Sequence, residues 1–352
     1  MKQNLFGKNV AELQDVLAPL GLPKFRAKQI AQWMYEKGAT SFDEMTNLSK
    51  DLRARLSDAF EIFLATPKDI LQSKDGKTSK YLLAFADGTA VESVLMRQPY
   101  GNSICISTQA GCAMGCAFCA STLHGRARDL TGGEMLAETV FIDQLLRKEG
   151  QKVDTMVLMG SGEPLMNYDN VLAFLHLVHD EAVLGMSYRS ITLSTSGIVP
   201  NIYRLADEGI PVSLSISLHA PEDALRSTLM PINHKYPMAD VIAAGKAYGD
   251  KTKRRVTYEY ILIDGVNDSE QHAAELAKLL HGQLASVNLI PINPVVERHL
   301  LRPSQQRIDA FEKALADRHI AVTVRREMGT DINAACGQLR NRHLDSNKDE
   351  EK

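Results

Sequence analysis

Residues 111–119 read GCAMGCAFC. Three thiols, Cys112, Cys116 and Cys119, stand four and three positions apart, with no fourth ligand beside them. A structural zinc site takes four protein ligands, and a disulfide framework takes an even number of thiols. An iron–sulfur cubane is held by thiolates at its iron corners. Three thiolates leave one iron with an open position, the mark of a site that binds something further. Gly111 and Gly115 allow the loop to close tightly around such a core. The competing reading is a zinc knuckle that recruits His124 as its fourth ligand, a zinc-bound RNA-binding module without catalysis.

The loop follows SICIST (103–108), the first of a series of strand-like runs. The others are DTMVLMG, SITLSTSG, PVSLSISL, RVTYEYILI, SVNLIPINP and IAVTVRR. Helical stretches such as GGEMLAETVFIDQLLRKEG and SEQHAAELAKLLHG separate them. Alternation at this spacing predicts parallel βα units. The expected fold is α/β, a partial (β/α)6 barrel whose chemistry gathers at the C-terminal strand ends. Upstream, SKYLLAF and TAVESVLM flank Asp87–Gly88, a hairpin signal. Residues 1 to about 60 read as helical: Asn9 and Glu12 form a capping box, and Leu13, Val16, Leu17 and Leu20 share a face. The expected organisation is an N-terminal helical domain over 1–78, a hairpin over 79–101, the barrel over 102–340, and a polar tail over 341–352.

Hydrophobic residues make up 44% and charged residues 24% of the 352 positions, which suits a globular chain. No apolar run approaches the roughly 20 residues of a membrane span, and the start lacks a secretory pattern. A cytoplasmic protein with reduced thiols is expected. The net charge of −3 does not announce nucleic acid. Basic residues do cluster locally, at Lys24, Arg26 and Lys28, at Arg53 and Arg55, at Arg126 and Arg128, and at Lys251, Lys253, Arg254 and Arg255.

The C-x3-C-x2-C spacing, with Phe118 before its last cysteine, resembles the signature of the radical S-adenosylmethionine superfamily. The resemblance implies a [4Fe-4S] cluster on Cys112, Cys116 and Cys119, with S-adenosylmethionine chelating the open iron. MGSGEPL (159–165) matches the motif that holds the methionine amino group, through Gly162 and Glu163. Ser194, Ser217, Leu218, His219 and Asn293, in LSTSG, SISLHA and IPINP, are expected to hold its carboxylate and ribose. Each taken singly also reads as an ordinary strand cap.

DINAACGQL (331–339), with SLHAP, LMPIN and GVNDS, resembles a narrower branch, the RNA adenosine methyltransferases of RlmN and Cfr type. Asn333 departs from the aspartate usual there, and Ser161 from a common methionine. The branch implies two S-adenosylmethionine molecules per turnover. Cys336 takes a methyl group by displacement and carries it as S-methylcysteine. The methyl carbon then becomes bonded to the adenine, linking enzyme and RNA. Cys105 attacks the Cys336 sulfur, releases the RNA and leaves a disulfide. Glu92 is the family's proton acceptor, with Cys105 as rival; otherwise Glu92 is an exposed strand carboxylate. The implied substrates are adenosine 2503 of 23S rRNA and adenosine 37 of tRNAs, methylated at C2. The Cfr alternative is C8, and Pro164 in GEP favours C2. A flavodoxin- or ferredoxin-type electron donor, no membrane, a monomeric state, and an RNA grip on the basic N-terminal module complete the expectation.

Overall fold

The computed structural model describes residues 2–293 and 295–339. The tail expected over 341–352 lies outside the described residues.

The N-terminal module holds β1 (Gln3–Asn4), α1 (Val10–Leu17), α2 (Phe25–Ala31), α3 (Lys50–Ala59) and β2 (Phe60–Glu61), with β1 and β2 paired in parallel. Asn9 accepts from the Glu12 backbone while the Glu12 carboxylate accepts from Asn9, so the expected capping box closes α1. Ser49 caps α3. Leu13, Leu17, Ile30, Met34, Leu52 and Leu56 bury the inner faces of these helices. Each such side chain contributes about 1.5–3 kcal/mol on burial.

Three antiparallel strands follow: β3 (Thr66–Gln72), β4 (Thr78–Ala84) and β5 (Ala90–Gln98). β4 and β5 are the hairpin expected around Asp87–Gly88. β3 lies inside the stretch the sequence assigns to the N-terminal module. Its burial pattern is almost wholly exposed, so it carries no alternation to read.

β6 (Gly101–Cys105) pairs antiparallel with β5 and parallel with β9 (Thr155–Leu158). Between them lie a short antiparallel pair, β7 (Gln109–Gly111) and β8 (Arg126–Asp129), and α4 (Gly132–Lys148). The remaining order is α5 (Tyr168–His179), β10 (Ile191–Thr195), α6 (Val199–Asp207), β11 (Ser213–Ser217), α7 (Asp223–Leu229), α8 (Met238–Thr252), β12 (Val256–Leu262), α9 (Glu270–Leu280), β13 (Ala285–Pro291), α10 (Gln305–Ala316) and β14 (Ala321–Val324).

One sheet runs β14-β13-β12-β11-β10-β9-β6-β5-β4-β3. From β6 to β14 all neighbours are parallel, with a helix in each crossover, as the alternating runs predict. One cavity takes its walls from β5, β6 and β9 on one side and β13 and β14 on the other. The sheet therefore curls on itself without β14 pairing back to β6, an open barrel. Beyond β14 a strap, Gly329–Leu339, lies across this opening and carries Cys336.

Candidate active site

The triad loop leaves β7 at Gly111, whose φ is +78°. A side chain there would place Cβ 2.0 Å from the Gly125 carbonyl oxygen, and the Cys112 N–H donates to that same oxygen at 3.0 Å. Only glycine fits both demands. Cys112 and Cys116 are buried and Cys119 is half-buried. Burial pushes the Cys112 thiol up to about 12 and raises Cys116 and Cys119. A bound metal reverses that preference, because a coordinating thiol is deprotonated outright.

The three thiols line one cavity with Phe118, Gly162, Glu163, Ser194, Ser217 and His219. Glu163 is 3% exposed. Its Oε1 accepts from Leu165 N–H at 3.0 Å and Thr195 Oγ1 at 2.7 Å, and its Oε2 accepts from Ser196 N–H at 2.6 Å. Burial raises its pKa, against the pull of these donors. A carboxylate so fixed, in a wall, fits an ammonium group. Gly162 (φ +112°) admits the close approach of Gln109, whose Cβ would stand 2.6 Å from an added side chain. Gln109 Oε1 in turn accepts from Glu163 N–H at 2.9 Å.

His219 sits at φ +61°. Its Nδ1 accepts from Ile261 N–H at 3.0 Å, which leaves the ring proton on Nε2. Burial lowers its pKa to about 3, so the ring is neutral and a hydrogen-bond donor. It meets Phe118 edge-on at 4.7 Å.

Two expected contacts are not in this cavity. The Leu218 side chain is fully buried in the core, and its carbonyl accepts from Arg226 Nε. Asn293 lines the neighbouring cavity instead, donating from Nδ2 to the Cys336 carbonyl at 3.1 Å. Its Oδ1 is buried without a partner among the described residues, an acceptor that a ligand N–H would satisfy.

Arg226 escapes the sequence reading. It is fully buried and donates to the carbonyls of Leu218, Ser217 and Ser196 and to Asn233 Oδ1. It thereby ties the ends of β10 and β11, which wall the cavity. The sequence shows only an arginine on a short helix.

The neighbouring cavity has a volume of about 480 Å³ and includes Cys105, Tyr100, Asn293 and Cys336 in its wall. Cys336, Met159, Ile290 and Arg325 line both cavities. Burial, then Cys336, pushes the Cys105 thiol up to about 12. Glu92 is in neither wall. It is 4% exposed, with Oε1 2.9 Å from Lys80 Nζ, so it is not the exposed strand carboxylate offered as the alternative reading.

Among the described residues, no three His, Cys, Asp or Glu side chains converge on a single ion. His124 is exposed and lines no part of the cavity. A cubane spreads its thiolates over separate irons, and the triad fits that group, with an open space beside it into which Glu163, Ser194, Ser217 and His219 bring polar groups.

Residues 3–62 match the Ribosomal RNA large subunit methyltransferase N-terminal domain, and residues 106–277 match the Radical SAM superfamily. The chain is 54% identical over 342 residues to a "Probable dual-specificity RNA methyltransferase RlmN" of Symbiobacterium thermophilum, covering 97% of this chain and 92% of that one. A relative of the same description from Desulforamulus reducens is 48% identical, covering 98% of both. A crystal structure of a radical SAM methyltransferase from Sphaerobacter thermophilus superposes with TM-score 0.93 at 46% identity, covering 96% of this chain and 99% of that one. The folded barrel, its cysteine triad and these likenesses agree: the chain belongs to the radical SAM RNA methyltransferases of RlmN type.

Proposed function

We propose that the enzyme methylates adenosine at C2, at position 2503 of 23S rRNA and position 37 of tRNAs, with Cys336 carrying the methyl carbon. One observation supports this reading above others: Cys336 lines both the cavity of the triad and the cavity of Cys105.

In this reading Cys112, Cys116 and Cys119 hold a [4Fe-4S] cluster. Glu163 receives the amino group of S-adenosylmethionine; Ser194, Ser217 and the Nε2–H of His219 receive its carboxylate and ribose. When bound, these groups supply a methyl carbon and a radical source, at two S-adenosylmethionine molecules per turnover. Cys336 exchanges its thiol proton for the methyl group and holds it as a thioether. Once that carbon is bonded to adenine C2, Cys105 attacks the Cys336 sulfur. An S–S bond forms, the C–S bond breaks, and the carbon leaves with the RNA. A cellular reductant returns two electrons to the disulfide, and a flavodoxin- or ferredoxin-type donor serves the cluster. For the ring proton the two acceptors are Cys105 as its thiolate, which lines the cavity but which burial disfavours, and Glu92, which lies outside the cavity paired with Lys80.

The adenine must be unstacked to reach the larger cavity. The N-terminal module offers Lys24, Lys28 and Arg55 as exposed cations and Arg26 and Arg53 as half-buried ones. Phe25 stands 55% exposed beside them, suited to a splayed RNA. The protein acts as a cytoplasmic monomer in this account; no helix among the described residues is long and apolar enough to cross a membrane.

Nucleoside mass spectrometry after treating rRNA and tRNA separately tests the reading. The expected product is 2-methyladenosine from both. 8-Methyladenosine alone would overturn the C2 assignment, and an unmodified tRNA would remove the second substrate.

A further inference from the structure

We propose that Lys80 is the positioning residue for the strap that presents Cys336. The inference rests on the reading of Cys336 as methyl carrier.

The strap is anchored at both ends by different elements. Its second half hangs on the triad loop and the end of β13: Ala120 N–H donates to Gly337 O at 2.8 Å, Ser121 Oγ to Leu339 O at 2.7 Å, and Asn293 Nδ2 to Cys336 O at 3.1 Å. Its first half hangs on the β3–β4 turn and on β4. There Lys74 N–H donates to Asp331 Oδ2 at 2.9 Å, in an exposed position. Lys80 Nζ donates to the Asn333 carbonyl at 3.0 Å, and Lys80 is only 3% exposed.

Asn333 is where the strap reverses, at φ +50°, a conformation asparagine tolerates better than most residues. Immediately after it, Ala334 packs with Leu339 against Val94 and Cys105. The carbonyl held by Lys80 lies three residues before Cys336, next to the packed Ala334, so it sets where the Cys336 segment starts.

The ammonium is sustained there by Glu92. Lys80 pairs with Val94 across the β4–β5 ladder, and Glu92 is the diagonal neighbour on the same face. A buried ammonium without such a partner would bear the full desolvation cost of its charge. The carboxylate and the Asn333 carbonyl share one cation, so the hairpin fixes the register of the strap through a charge-assisted bond.

A purely structural ion pair and a positioning one respond differently to removal. Replacing both partners of a buried pair with apolar residues is often neutral for stability. That replacement still leaves Asn333 without its donor. The test follows transfer of a deuterated methyl group from S-adenosylmethionine to Cys336, read by peptide mass spectrometry. It uses protein expressed without iron and then reconstituted with its cluster, with no RNA present. This step precedes proton removal from adenine, so any role of Glu92 as base does not enter. Lys80→Met and the double variant Lys80→Met/Glu92→Leu are expected to slow labelling at least tenfold (of order one charge-assisted hydrogen bond) with unchanged iron content. Lys80→Arg, which keeps a donor, is expected to retain most of the rate. Wild-type labelling in the double variant would reduce Lys80 to a stabilising residue and overturn the inference. Absence of label on Cys336 in the wild-type protein would instead overturn the carrier reading, and this inference with it.

Discussion

Cys105 and Cys336 line the same cavity of about 480 Å³, Cys105 from the end of β6 and Cys336 from the strap beyond β14. They arrive there by independent routes. Cys105 is fixed by the ladder to β5, opposite Val94. Cys336 is fixed by Asn293 and by its neighbours' bonds to the triad loop. Neither is a ligand of the expected cluster, and burial keeps Cys105 protonated until a partner draws it.

Loss of one thiol should therefore not resemble loss of the other. Cys336→Ala is expected to abolish methylation with no RNA attached to the protein. Cys105→Ala is expected to stall after the carbon bond has formed, leaving RNA covalently bound to Cys336. A denaturing gel, with nuclease treatment collapsing the shifted band, reads the difference. Free RNA in both lanes would count against Cys105 as the resolving thiol.

The triad loop makes a second, geometric prediction. Gly111→Ala drives a methyl group onto the Gly125 carbonyl oxygen, whereas Gly125 has open space around it despite φ +69°. Gly125→Ala then costs only the left-handed backbone, about 1 kcal/mol. Iron and sulfide content after anaerobic reconstitution should fall severalfold in Gly111→Ala and stay near wild type in Gly125→Ala. Equal loading in both would show that the loop accommodates the clash.

What the sequence made legible was local. The Asn9–Glu12 box, the Asp87–Gly88 hairpin and the parallel strands each announce themselves within a dozen residues. β3 did not, because an edge strand with both faces exposed has no period-two contrast. The site divides in the same way. Ser217 and His219 were correctly placed at a strand end, but Leu218 between them faces the core. Asn293 follows β13 as expected yet faces the second cavity. Arg226 and the Lys80–Glu92 pair were invisible for a different reason. The acceptors of Arg226 lie just beyond β10, at the end of β11 and after α7, and Glu92 meets its cation across a ladder. Such pairings exist only after the chain has folded.

Glu163 supplies a prediction about affinity. Its carboxylate is immobilised by three donors; Glu163→Gln keeps the volume and removes the charge, but its amide nitrogen must face a donor that the carboxylate satisfied. A hydrogen bond to a charged group is worth about 1.5–3 kcal/mol, or roughly 10- to 100-fold in binding. Equilibrium binding of S-adenosylmethionine to the reconstituted protein should weaken by at least that factor, and the buried donor left unsatisfied should lower stability by about 1–3 kcal/mol. Unchanged affinity would remove Glu163 from the ammonium site.

Glu138 makes a prediction about pH and stability, away from the chemistry. It lies on α4 and is fully buried. Its Oε2 is 2.5 Å from Ser93 Oγ and accepts from Ser107 N–H at 3.0 Å. Its Oε1 has no partner among the described residues. Burial raises its pKa from 4.5 to about 8, so the folded protein holds a proton that the unfolded chain releases. The folded state binds more protons throughout that interval, and stability must fall as pH rises. The contribution is complete below about pH 4.5 and is lost as pH approaches 8. At most it amounts to a few kcal/mol. Glu138→Gln cannot ionise, so subtracting its profile from the wild-type profile isolates this group from the buried cysteines and from Glu163 and Glu259, which are common to both. Melting temperatures of the cluster-loaded proteins, measured anaerobically from pH 5 to 8, should show the wild type losing ground steadily to the variant. Parallel profiles would mean that Glu138 is ionised in the fold, with its charge balanced by the Ser93 and Ser107 donors.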